Sequence, residues 1–145
     1  MTGLFEVSSV EETWALAEKF AATLKRGDIV CLEGDLGAGK TTFTQGLAAA
    51  LKVKGRVTSP TFCIVQEHYG TDDESFMLVH MDLYRLEGED DVLSIGWEDY
   101  LERGAVLVVE WPERAGTLIP QSARHVVFRH PEADEDSQRR RITFS

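Results

Sequence analysis

Residues 34–41 read Gly-Asp-Leu-Gly-Ala-Gly-Lys-Thr, which satisfies the spacing G-x-x-x-x-G-K-[ST]. That pattern works only as the turn between a buried strand and a helix, and the flanking residues supply both. Residues 28–33 (D-I-V-C-L-E) are a short apolar run of strand length. Residues 42–52 carry Phe43, Leu47 and Leu51 at helical spacing. The glycines let the backbone curl without a Cβ in the way. The amides of Asp35, Leu36, Gly37, Ala38 and Gly39 then point inward as an anion nest. The new helix adds unpaired N–H groups and the positive end of its dipole. The sum is a cradle for a di- or triphosphate. Lys40 reaches the β- and γ-phosphates as a point charge, and Thr41 places a hydroxyl where Mg²⁺ sits between them. Thr42 is next along, within reach of the α-phosphate.

The rest of the chain predicts an α/β fold, a mixed β-sheet flanked by helices. A short first strand is expected over residues 5–8, and Ser9-Val10-Glu11-Glu12 is a capping box. The helix that follows is expected to bury Val10, Trp14, Ala17, Ala21 and Leu24, and to end near Lys25-Arg26-Gly27. Trp14 reads as core. Pro60 forces an extended entry into an alternating strand over 62–69, and 76–81 returns after a polar turn. This hairpin makes the sheet mixed rather than parallel. Residues 87–91 are an acidic patch, read as surface or a helix N-terminus, and 96–101 as a short amphipathic helix. Residues 123–129 and 139–145 predict a C-terminal β-hairpin at the sheet's edge, with Arg139 to Arg141 as solvated edge-strand charge.

Two acids stand at the ends of apolar strands. Asp82 closes Met77-Leu78-Val79-His80-Met81, and Glu110 closes 105–109. In open α/β sheets ligands bind beyond the carboxyl ends of the strands. If these strands lie beside that of the glycine loop, both carboxylates converge on Mg²⁺. Trp111 either flanks a nucleotide or packs. No arginine finger is evident, although Arg85 is a candidate and equally a structural residue.

With 145 residues the chain is read as a single domain, 1–145. No apolar run approaches the roughly 20 residues of a membrane span, so cytoplasmic residence is expected. Cys31 and Cys63 are isolated in apolar runs and read as free buried thiols. The histidines show no metal-ligand spacing and read as strand or loop residues. The net charge of −10, from 15 basic and 25 acidic residues, would repel a nucleic-acid backbone. Any nucleic-acid role then runs through partners.

Four segments in order, Gly-Asp-Leu-Gly-Ala-Gly-Lys-Thr-Thr-Phe (34–43), Ser-Pro-Thr-Phe (59–62), Asp-Leu-Tyr-Arg-Leu (82–86) and Val-Glu-Trp-Pro (109–112), resemble the TsaE (formerly YjeE) family. The resemblance runs from about residue 9 to residue 145. It implies a small Mg²⁺-dependent ATPase acting with TsaB and TsaD, which transfer a threonylcarbamoyl group to adenosine 37 of tRNA. Hydrolysis would reset that complex, and tRNA would be held by a partner. By position, the resemblance assigns Lys40 and Thr41 to phosphates and Mg²⁺, and Thr61 to sensing the γ-phosphate. Asp82 and Glu110 become the acids around Mg²⁺ and the attacking water, and Thr13 and Arg140 nucleotide contacts. Two rival readings stay open: a P-loop metabolite kinase, and a nucleotide-gated interaction module with little hydrolysis. A guanine-specifying N-K-x-D is absent, which favours ATP.

Overall fold

The computed structural model describes residues 1–34, 39–55, 57, 64–130 and 139–145. The chain runs through strand β1 (Gly3–Val7), helix α1 (Val10–Ala21), strand β2 (Ile29–Glu33) and helix α2 (Lys40–Ala50). Strands β3 (Val65–Tyr69) and β4 (Met77–Asp82) follow, then short helices α3 (Glu89–Ser94) and α4 (Trp97–Glu102). Strand β5 (Val106–Glu110), a 3₁₀ segment over Pro112–Leu118, and strands β6 (Arg124–Arg129) and β7 (Arg140–Phe144) complete it.

The seven strands form one sheet in the order β1-β7-β6-β2-β5-β4-β3. Its centre, β6-β2-β5-β4, is parallel, and β3, β7 and β1 join antiparallel at the wings. The sheet is therefore mixed, as the β3–β4 hairpin predicts. Strands β2 and β5 read as apolar runs because both faces are covered. One face packs Val30, Leu32, Val106 and Val108 against α1 and α2 through Leu16, Phe20, Phe43 and Leu47. The other packs Cys31, Val79, Met81, Leu107 and Val109 against Trp97, Tyr100 and Val92 of α3 and α4. Burial raises the Cys31 thiol to about 12, as expected of an inert core cysteine. Cys63 lies outside the described residues.

Four expectations need correction. The β6–β7 hairpin is not the sheet's edge, because β1 pairs along β7 from Gly3↔Phe144 to Val7↔Arg140. Arg139 and Arg141 accordingly pair with Glu6 of β1 at 3.3 and 3.0 Å rather than standing as free edge charge. The buried stripe of α1 is Thr13, Leu16, Ala17, Phe20 and Ala21, while Val10 and Trp14 face outward, Trp14 with 43% exposure. Phe20 sets that orientation, lying against Phe43 and Phe144 at 5.8 and 5.1 Å between centroids. The helix also stops at Ala21, short of Lys25, as Thr23 Oγ1 donates to the Phe20 carbonyl (2.7 Å). Its start is as expected: Ser9 caps Glu12 N–H at 3.1 Å, and Glu12 takes the Ser8 N–H at 2.7 Å.

Candidate nucleotide site

Helix α2 is a poor helix by composition, with three threonines and a glycine in its first seven residues. Burial of Phe43, Thr44, Leu47 and Ala48 holds it. Its N-cap is Gly39 at φ 104, a left-handed conformation that favours glycine. A glycine cap has no side chain to occupy the first-turn N–H groups, and no acidic residue sits in that turn. Among the described residues no side chain caps the helix's positive end, where an anion is stabilised. On the strand side, Gly34 runs so close to β6 that a Cβ would sit 2.7 Å from the Phe128 carbonyl oxygen. Asp35, Leu36, Gly37 and Ala38 lie outside the described residues, as does Thr61.

Lys40 opens α2 and folds back towards the end of β2. Its Nζ donates to the Gly34 carbonyl at 2.7 Å and lies 3.4 Å from Glu110 Oε1. Glu110 ends β5, which runs parallel beside β2 with Leu32 opposite Glu110. On the other side of β5, Asp82 at the end of β4 is the register partner of Glu110. Side chains alternate along a strand, so Asp82, Glu110 and His80 share the face covered by α1 and α2. The two strand tips are tied by Leu83 N–H donating to the Glu110 carbonyl at 3.1 Å. The expectation that both acids' strands neighbour that of the glycine loop is met by β5 alone, with β4 one position further out. The Asp82 carboxylate accepts the Tyr84 N–H at 3.0 Å.

Glu110 is only 6% exposed, and its second oxygen, Oε2, lies 2.7 Å from Nε2 of a fully buried His80. Burial pushes the Glu110 carboxyl up, but His80 and Lys40 outweigh it and hold it below the usual carboxylate range. The carboxylate is therefore ionised and can only accept, so His80 Nε2 carries the hydrogen. Sequence reasoning gave His80 no role. Its signal was present: a polar residue inside an apolar strand, two positions before Asp82 and hence on the same face.

A cleft of about 350 Å³ opens beside Lys40, which lines it with Glu33, Gly34, Trp111, Glu113 and Arg129 among others. Trp111 leaves β5 in a left-handed conformation (φ 57) and is 40% exposed. Its ring lies 4.8 Å from that of Tyr84, so it both packs and lines the cleft. Arg140 approaches the same place, its Cγ 3.9 Å from where a Cβ on Gly39 would stand. Thr41 and Thr42 sit half-buried in the first turn of α2. Thr13 is buried in α1 with its hydroxyl donating to the Ser9 carbonyl at 3.2 Å, a local bond. Arg85 is exposed.

Thr41, Asp82 and Glu110 offer hard oxygen donors, the chemistry Mg²⁺ takes. One or two carboxylates suffice for that ion when phosphate oxygens and water complete its shell. The described residues contain no group of three or more His, Cys, Asp or Glu arranged for a metal. They also contain no helix long and apolar enough to cross a membrane.

Residues 7–142 match the model of the family described as threonylcarbamoyl adenosine biosynthesis protein TsaE. The chain is 42% identical to the tRNA threonylcarbamoyladenosine biosynthesis protein TsaE of Bacillus subtilis, over 93% of this chain and 80% of that one. It is 46% identical to the protein of the same name from Aquifex aeolicus, over 74% of this chain and 75% of that one. The fold matches the crystal structure of Bacillus subtilis YdiB with a TM-score of 0.76 at 35% identity, covering 99% of this chain and 84% of that one. With most of its length matched by the family model and by relatives of one name, this chain belongs to the TsaE family.

Proposed function

We propose that this chain is a cytoplasmic Mg²⁺-dependent ATPase that works with TsaB- and TsaD-like proteins in transferring a threonylcarbamoyl group to adenosine 37 of tRNA. The observation that carries the ATPase reading is Lys40, held at 2.7 Å from Gly34 O and 3.4 Å from Glu110 at an uncapped helix start. A lysine so placed has only to turn from its carboxylate to meet a polyphosphate arriving at the same helix end. The first-turn amides and the 34–41 loop bind the phosphates, Thr61 senses the γ-phosphate, and Arg140 and Thr13 contact the nucleotide. Thr41, Asp82 and Glu110 would hold the metal, which when bound supplies positive charge between the β- and γ-phosphates. Of the two acids, Glu110 is kept ionised though buried, which suits it to accept a hydrogen bond from the attacking water. Such catalysis is positioning plus electrostatics.

The tRNA role rests on the family and on the names of its relatives. The chain's net charge of −10 supports a part in which tRNA is held by a partner. The metabolite-kinase reading is weakened by the segment around residues 87–91. Glu89 accepts both the backbone N–H and the hydroxyl of Thr117, pinning α3 as a poor lid. The test is ATP affinity and turnover of Lys40→Ala, alone and with the TsaB–TsaD pair. Loss of binding by tenfold or more, and faster turnover of the parent with partners, are expected. Undiminished binding by the variant would overturn the site. Equal rates with and without partners would remove the gating role.

A further inference from the structure

Strand β4 is apolar from Met77 to Met81 except at His80, which is wholly buried. A leucine or valine there would pack without the desolvation of an imidazole, so the histidine needs a reason. Its Nε2 meets Glu110 Oε2 at 2.7 Å, and its Nδ1 is buried without a hydrogen-bond partner among the described residues. The carboxylate can only accept, so the hydrogen of this contact is on Nε2. The contact also divides the carboxylate. Oε2 is fixed by His80, and Oε1 is the oxygen that faces Lys40, 3.4 Å away, and through it the phosphate end of α2.

We infer that His80 is a positioning residue. Its Nε2–H, 2.7 Å from Oε2, pins that oxygen of Glu110, so that Oε1 keeps its aim when Lys40 turns to a nucleotide. A glutamate has three rotatable bonds, and at a strand tip beside Asp82 it would otherwise swing from its register partner's charge. The inference rests on the ATPase reading and adds to it the residue that fixes the geometry of its buried acid. Groups that orient a metal- or water-holding carboxylate from behind are worth roughly 10–100-fold in activity or affinity.

The test compares the full-length parent with His80→Gln, whose amide N–H reaches the same oxygen, and His80→Leu, which has none. In the nucleotide-free parent, ¹⁵N NMR of the imidazole should report a hydrogen on Nε2. An Nε2 without one would overturn the inference without any appeal to turnover. In steady-state hydrolysis, His80→Leu should lower kcat about 10–100-fold with KM changed less than about threefold, and His80→Gln should recover most of the loss. A Leu variant with parental kcat, or a Gln variant as impaired as Leu, would also overturn it. A parent that shows hydrogen on Nε2 but hydrolyses no ATP with or without its partners would sink the ATPase reading, and this assignment with it. Should the Leu variant fail to fold, the Nε2 hydrogen and the Gln variant still decide.

Discussion

Glu110→Gln should make Mg²⁺-free ATP bind more tightly while slowing hydrolysis. Glutamine keeps the shape of the side chain and can still accept from His80, so the change is confined to charge. In the parent, Lys40 Nζ and Glu110 Oε1 are 3.4 Å apart, a Coulomb attraction of about 5 kcal/mol at an effective dielectric of about 20. Desolvation of both partners offsets much of that. If roughly a third to a half survives, freeing Lys40 for the phosphates is worth about 2 kcal/mol, a tenfold to hundredfold gain in affinity. The assay is calorimetric titration of ATP at fixed ionic strength, first with a chelator and then with Mg²⁺. With Mg²⁺ the gain should shrink or reverse, since a carboxylate that would hold the ion is gone. A variant that binds Mg²⁺-free ATP no more tightly than the parent would refute the idea that Lys40 waits on Glu110.

Two further outcomes are expected. Phe43 is fully buried, with ring centroids 5.4, 5.8 and 5.9 Å from Phe128, Phe20 and Phe144. Phe43→Ala should cost about 3–5 kcal/mol by urea unfolding, and a loss under about 1 kcal/mol would contradict this packing. The folded-state pKa of Glu110 is depressed, so its contribution to stability is present above the ordinary carboxylate value of about 4.3 and lost as pH falls through the folded-state value. The stability gap between parent and Glu110→Gln should narrow on acidification below about pH 4.3, and a gap constant from neutral pH downward would refute the assignment.

Strand β2 and helix α2 at the centre, the hairpin of β3 and β4, and both acids at strand ends were legible because each is a local pattern. Periodicity, a glycine spacing and a carboxylate after an apolar run all lie within a few residues of one another. What escaped was decided by distant partners. That β7 is an inner strand depends on β1, some 140 residues away in sequence, pairing Gly3 with Phe144. The buried stripe of α1 turned on Phe20 meeting the Phe43–Phe144 cluster, which the helix's own spacing does not specify. His80 went unread because its role exists only across strands, through a carboxylate 30 positions later. Thr61 and residues 35–38 lie outside the described residues, so the loop's own amides stay part of the proposal.

The Gly3–Phe144 pairing has a consequence for how the chain comes to be folded. At ribosomal speeds of about 5–20 residues per second, the first strand emerges on the order of ten seconds before its partner is made. Through that wait its backbone donors and acceptors are open to any passing strand, and residues 3–6 keep exposed side chains even when paired. Vectorial synthesis therefore completes the parallel centre of the sheet first. The outermost seam, β1 along β7, is sewn last.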